Sequence, residues 1–107
     1  MSISDQERVE DILEFAQTLA SLVDKGQNEF HSEVVLQLSV ERLLISIGEA
    51  CSKLSNEFQA SHHEIIWRDI VSMRNLLIHA YHRIDLNQVW VAASQDVPNL
   101  VRAIRKS

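Results

Sequence analysis

The sequence predicts an all-α protein, an up-and-down bundle of four or five helices in a single domain over residues 1–107. Only two glycines and one proline occur, so few tight turns can be built and long helices are favoured. Apolar residues make up 46% of the chain and recur at helical spacing. Charged residues make up 23%, which indicates a globular chain and excludes a disordered one.

The first predicted helix covers about residues 5–25. Residues 4–7 match a capping box, in which Ser4 and Glu7 each bond the other's backbone N–H. Gly26 is expected to end the helix. The apolar stripe of this helix consists of Val9, Ile12, Leu13, Ala16, Leu19, Ala20 and Val23.

The second predicted helix covers about residues 32–57 and is apolar on more than one face, which indicates a central position. Gly48 lies in its middle, where a glycine costs about 1 kcal/mol relative to alanine. We expect close approach of another backbone as the compensation, and a second copy of the chain is one candidate. A polar connection follows at residues 59–64, with His62 and His63 expected on its surface.

The third predicted helix covers about residues 67–81 and contains Leu76, Leu77 and Ile78 in succession. Because each residue turns about 100° around a helix, the three cannot all face one core. This favours a partner surface, and a symmetric dimer is the commonest form. A fourth helix is expected after Asp85, which begins a second capping-box pattern, and Pro98 should kink or split it.

The net charge of −5 argues by itself against nucleic acid as a partner. However, the charge is unevenly distributed along the chain. Residues 1–30 carry seven acids against two basic residues, and residues 31–66 carry five against two. Residues 67–83 carry three arginines against one aspartate, so the third predicted helix is locally basic.

Cysteine content and hydropathy indicate a cytoplasmic protein. Cys51 is the single cysteine, so no intrachain disulfide can form, which fits a reducing compartment. Cys51 lies on an apolar stripe and is expected to be a core residue. The N-terminal residues lack the pattern of a signal peptide, and no uncharged apolar run is long enough to span a membrane.

The third predicted helix carries Arg74, Asn75, His79 and Tyr81 in an otherwise apolar setting. Arginine presents a permanent forked charge that matches phosphate oxygens, and histidine exchanges protons near neutral pH. Together they suit cleavage of a phosphodiester. His79 lies about 140° around an ideal helix from Arg74, so the two converge only if Arg74 reaches across, the helix distorts or a second copy contributes.

Other interpretations remain open from the residues alone. Arg74 and His79 could serve structural salt bridges, with Glu49 as the partner of Arg74. A metal site at His79 and His82 lacks the cysteine or carboxylate ligands that would complete it. The bundle could also be a non-catalytic helical dimer that docks and regulates a nucleotidyltransferase, which the acidic first half favours slightly.

The spacing of Arg74, His79 and Tyr81 resembles the HepT branch of the HEPN ribonuclease family, whose motif is Arg-x-x-x-x-His-x-Tyr. Asn75 matches the polar residue that commonly follows the arginine. Further runs resemble the same family and occur in the same order along nearly the whole chain: Glu41-Arg42-Leu43, Ile47-Gly48-Glu49-Ala50, Trp67-Arg68-Asp69-Ile70-Val71, Asp85-Leu86 and Val89-Trp90.

The resemblance implies a homodimer of HEPN bundles in which both copies of the motif line one cleft. It implies a type VII toxin, an endoribonuclease with Arg74 and His79 as catalytic residues and Asn75 in support. We expect no metal or other cofactor, since the 2′-hydroxyl of RNA can attack the adjacent phosphate. Candidate RNA contacts are Arg68, His82 and Arg83.

The resemblance also implies control through Tyr81. A cognate MntA-type nucleotidyltransferase antitoxin would transfer AMP to this tyrosine, and the toxin dimer would join it in a larger hetero-oligomer. A negative charge and a bulky nucleoside would then stand where RNA must bind.

Overall fold

The computed structural model describes residues 1–80 and 84–106, and it confirms the all-α fold class. The helices are α1 (Ile3–Val23), α2 (Gln27–Ser32), α3 (Val34–Ser52), α4 (Asn56–Ser61), α5 (Trp67–His79), α6 (Leu86–Val91) and α7 (Val97–Arg105). A π-helical turn, Ala92–Asp96, joins α6 to α7. Three long helices and the α6–α7 segment form the bundle, and α2 and α4 are short connecting helices that the sequence did not predict.

Helix α3 is central, as its apolar faces predict. It packs extensively against α1 on one side and α5 on the other, and α1 also contacts the π turn and α7. Side chains that are fully buried or nearly so hold these elements together: Ile12, Leu19, Phe30, Val40, Ile47, Cys51 and Val89. Burial raises the pKa of the Cys51 thiol to about 12, so Cys51 is a core residue, as expected.

Helix α1 begins two residues earlier than predicted. The Ser2 hydroxyl accepts a hydrogen bond from the Asp5 backbone N–H at 3.0 Å, so Ser2 and not Ser4 caps the helix. The Asp5 carboxylate accepts two hydrogen bonds from Ser55, from its backbone N–H at 2.9 Å and its hydroxyl at 2.6 Å. These two bonds lower the pKa of Asp5 and tie the start of α1 to the start of α4.

The single helix predicted for residues 32–57 is wrong at its C-terminal end. Helix α3 stops at Ser52, and α4 begins after Ser55, whose hydroxyl accepts from the Phe58 N–H at 3.1 Å. A serine that caps a new helix competes with continuation of the old one. Leu54 and Phe58 are both buried, so the apolar spacing continues across the break between α3 and α4. For this reason the spacing did not predict the break.

The predicted surface position of His62 is also wrong. This side chain is only 4% exposed and stacks on the Phe58 ring with centroids 4.3 Å apart. Its Nδ1 lies 3.0 Å from the Phe58 carbonyl oxygen, while His63 is exposed as expected. The short helix α4 turns His62 inwards, an effect that a polar run does not disclose.

Pro98 splits the fourth predicted helix, as expected. Proline has no N–H to bond the carbonyl four residues earlier, and its ring crowds that carbonyl. The chain responds with the π turn that precedes α7, in which Pro98 occupies one of the first positions. Asp85 caps α6 by accepting from the Asn87 N–H at 2.8 Å, which confirms the predicted start.

None of the helices in the described part of the chain combines the length and the apolar character that crossing a bilayer requires.

Candidate active site on helix α5

Helix α5 lies at the edge of the bundle. Beyond its first turn, the described residues of α5 pack extensively only on α3, through buried Leu77 and partly buried Ile70 and Met73. No side chain caps its N-terminus. Its start is held instead by Trp67, whose indole N–H donates to the Gln59 carbonyl oxygen at 3.0 Å. The helix therefore depends on a single long contact for its position.

That contact is closest where Arg74 crosses Gly48. A Cβ placed on Gly48 would lie 2.5 Å from Arg74 Cβ and 2.9 Å from Arg74 Cγ, distances that real side chains do not reach. The mid-helix glycine therefore admits α5 of the same chain, and a second copy is not needed to explain it. The bare backbone of α3 thus fixes the base of the arginine side chain.

The guanidinium of Arg74 has no partner among residues 1–80 and 84–106. Its Nε is buried without a hydrogen bond, and no carboxylate of this part of the chain lies within 4.0 Å. The proposed structural pairing with Glu49 is therefore absent. Arg8, by contrast, pairs with Asp11 at 3.3 Å. An arginine held in place and left without an anion is suited to receive one from outside the protein.

The solvent side of α5 is a polar stripe, which we define as Arg68, Ser72, Asn75 and His79. All four are exposed, and their spacing of four, three and four residues aligns them on one helix face. Arg68, Asn75 and His79 are candidates predicted from the sequence, whereas Ser72 was not predicted. The same spacing would have identified it, because it completes the series.

Arg74 and His79 start from different faces of α5 within one chain. The base of the Arg74 side chain packs on Gly48 of α3, whereas His79 belongs to the polar stripe, about 140° further around an ideal helix. Neither residue lines either of the two grooves found beside α5. Within the described part of the chain, the two side chains therefore begin in different surroundings.

Some predicted site residues cannot be placed. Tyr81, His82 and Arg83 lie outside the described residues. Within the part of the chain that is described, no three histidine, cysteine or acidic side chains gather in a way that could hold a metal ion.

Fold and site together define a class: a helical bundle whose penultimate long segment carries an arginine without an ion pair among the described residues and an exposed histidine. Residues 7–107 match the family model described as "Ribonuclease HepT-like", so the chain belongs to the HepT-like ribonuclease family. The predicted resemblance and the predicted class of RNA-cleaving enzyme are confirmed.

Similar proteins agree with this family. The chain is 34% identical over 101 residues to "Probable ribonuclease HepT" of Thermococcus cleftensis, covering 94% of this chain and 92% of that protein. It is 32% identical over 98 residues to a protein of Methanocaldococcus jannaschii named as a putative RNase, covering 92% of this chain and 84% of that protein. No solved structure matches the chain.

Proposed function

We propose that the chain is a toxin endoribonuclease that cleaves RNA without a metal ion, using Arg74 and His79. The observation that carries the proposal is the unpaired guanidinium of Arg74, anchored against Gly48 on the helix that also exposes His79. A structural arginine would be expected to have an internal carboxylate, and this one has none among the described residues.

The reaction needs a base for the 2′-hydroxyl, an acid for the leaving 5′-oxygen and a positive charge for the phosphate, and these side chains supply all three. The 2′-oxygen of RNA attacks the neighbouring phosphorus, the bond to the 5′-oxygen breaks, and one proton moves from the first oxygen to the second. His79 carries that proton. Arg74 binds the phosphate and stabilises its developing negative charge, and Asn75 orients His79 or the RNA. The products are a 2′,3′-cyclic phosphate and a 5′-hydroxyl.

The active form in this proposal is a homodimer. The separation of Arg74 and His79 around α5 is resolved if each cleft takes the arginine of one chain and the histidine of the other. Several large apolar side chains are exposed in the single chain and would be covered by such a partner, among them Val34, Val35 and Leu38 on α3 and Ile78 on α5.

RNA cleavage assays in excess chelator test this function. The wild-type protein should cut single-stranded RNA and leave a 2′,3′-cyclic phosphate, whereas Arg74→Ala and His79→Ala should lose the activity and keep the fold. Lys25→Ala and His63→Ala remove a positive charge and an imidazole from exposed positions outside α5 and should remain active. A strict requirement for a divalent metal would refute the mechanism, and full activity in both α5 variants would refute the site.

We further propose that a nucleotidyltransferase antitoxin controls the enzyme by transferring AMP to Tyr81, within a hetero-oligomer. The support is proximity in sequence: Tyr81 lies seven residues after Arg74 and two after His79, so a phosphodiester there would bring negative charge close to the motif and repel an incoming RNA phosphate. Tyr81→Phe should remain toxic when the antitoxin is co-expressed. If the antitoxin still silences that variant fully, modification of Tyr81 is not the switch.

A non-catalytic docking module is the second candidate, favoured by the acidic residues 1–30. It predicts that Arg74→Ala and His79→Ala bind a nucleotidyltransferase normally and that no preparation of the wild-type chain cleaves RNA. The assays above therefore separate the two functions.

A further inference from the structure

An open groove of about 630 Å³ runs beside the polar stripe, between α5 and the segment formed by α6 and the π turn. Ser72 belongs to both the stripe and the groove, so the two surfaces are continuous. The eight residues that line the groove are Asp69, Ser72, Met73, Leu76, Asn87, Gln88, Val91 and Asp96. The proposed catalytic groups, Arg74, Asn75 and His79, are not among them.

The groove combines an apolar floor with polar walls. Met73, Leu76 and Val91 provide the apolar surface, and Val91 is 42% exposed although it is a large hydrophobic residue. Asn87 and Gln88 add exposed amides. The Asn87 amide is fixed, because its Oδ1 lies 3.0 Å from His31 Nε2 on α2. An apolar floor with a few oriented polar groups suits a flat heterocycle that is hydrogen-bonded at its edge.

The charge of the groove selects against phosphate. Asp69 and Asp96 line it, and no arginine or lysine among residues 1–80 and 84–106 does. The pKa of Asp96 is raised by partial burial and by repulsion from Asp69, which indicates that the two carboxylates act on the same space. Carboxylates repel phosphate but accept hydrogen bonds from base N–H groups. The cationic and anionic surfaces of α5 are therefore divided, with Arg68 and Arg74 outside the groove and the acids within it.

We propose that this groove binds a guanine base of the RNA substrate, with Asp69 accepting hydrogen bonds from N1–H and N2–H and the ring lying on Leu76 and Val91. Guanine is the base whose pairing edge presents two adjacent donors, which match the two oxygens of one carboxylate. Asp69 and Ser72 lie about 10–15 Å along the helix from His79, a distance that one or two nucleotides span. The inference rests on the proposed function, because α5 places the cleaved phosphate.

The test compares guanosine with inosine, which keeps N1–H and lacks the N2 amine. Short single-stranded RNAs carry one guanosine at successive positions beside the cleaved bond. Replacement by inosine at the favoured position should lower kcat/KM of the wild-type protein about tenfold, the effect of one lost hydrogen bond to a charged group. Asp69→Asn should remove the difference. Asp24→Asn makes the same change at an exposed position outside the groove and should preserve it.

A second variant and a binding assay keep the inference separable from catalysis. Val91→Lys alters an exposed floor residue without touching Asp69 and should also abolish the guanine preference. Fluorescence anisotropy with 2′-O-methyl versions of the same RNAs, which cannot be cleaved by 2′-oxygen attack, measures the preference directly. A preference in binding that depends on Asp69 supports the base site even if no cleavage is seen. Equal treatment of guanosine and inosine by the wild-type protein, or a preference unchanged in Asp69→Asn, overturns it.

Discussion

Helices α1 and α5 both pack on α3, yet they are built for different purposes. Helix α1 is capped by Ser2, tied to α4 through Asp5, and buries Ile12, Ala16 and Leu19. Helix α5 has no side-chain cap and buries only Leu77 among its thirteen residues. The comparison teaches that the more deeply buried and better capped helix is a different one from the helix with the candidate site. The helix with the candidate site contributes little to the core and keeps its polar groups accessible.

The largest expected effect falls on activity, at His79. Because this side chain is exposed and has no hydrogen bond or ion pair within the described residues, His79→Ala should leave the unfolding transition unchanged. Loss of a proton-transfer group should reduce the cleavage rate by about 10²–10⁴-fold. Single-turnover cleavage measures the expected loss of rate, and thermal unfolding of the same preparation measures the expected unchanged stability. A variant that unfolds earlier would show that α5 contributes to stability through its exposed face.

A substitution in the core face of α1 should have the opposite effect, a loss of stability without a loss of activity. Ile12 is completely buried, so Ile12→Ala should cost about 2–5 kcal/mol of stability through lost contacts and a cavity. The cleavage rate per folded molecule should stay within about twofold, because α1 does not touch α5 extensively in the described structure. Urea unfolding and active-site titration measure the two quantities. A large fall in the rate of folded Ile12→Ala would break the division between the helices.

Substitution of Gly48 should affect both stability and activity, because this residue contacts Arg74. Gly48→Ala gains up to about 1 kcal/mol of helix propensity but forces α5 away from α3, with overpacking costs of about 1–3 kcal/mol. We expect a modest net loss of stability together with a clear loss of cleavage, because Arg74 moves. Gly26→Ala is the control: it has open space but a φ of 96°, so it should lose stability and keep its rate. A Gly48→Ala protein with full stability and full activity would contradict the contact.

The smallest effect concerns Asp5 and depends on pH. Hydrogen bonds from the Ser55 hydroxyl and backbone N–H lower its pKa below the ordinary value of 3.8. The ionised carboxylate therefore stabilises the fold above pH 3.8, and this contribution is lost as the pH falls through the lowered pKa. The difference in urea midpoint between wild type and Asp5→Asn should be greatest near neutral pH and should disappear in acid. A gap in urea midpoint that stays constant with pH for Asp5→Asn would exclude linkage.

The fold class could be predicted from the sequence because scarce glycine and proline and helical periodicity act over long segments. Boundaries were harder, since a side chain such as Ser55 can begin a new helix without interrupting the apolar pattern. The inward turn of His62 and the capping role of Ser2 likewise depend on where short helices start.

For the site, the sequence predicted both the candidate residues and the separation of Arg74 and His79 around the helix. It could not predict which face of α5 packs on α3, because that depends on contacts between distant segments. The role of Gly48 was half visible: the glycine predicted a close neighbour, and the structure identified that neighbour as Arg74.

Mixing two inactive variants tests the central claim most directly, namely that Arg74 of one chain and His79 of another form one site. Heterodimers of Arg74→Ala and His79→Ala, purified with two different affinity tags, contain one complete composite site and one doubly deficient site. The account predicts recovery of about half the wild-type cleavage rate at equal dimer concentration. A heterodimer as inactive as either variant alone would contradict it and would return both groups to a single chain.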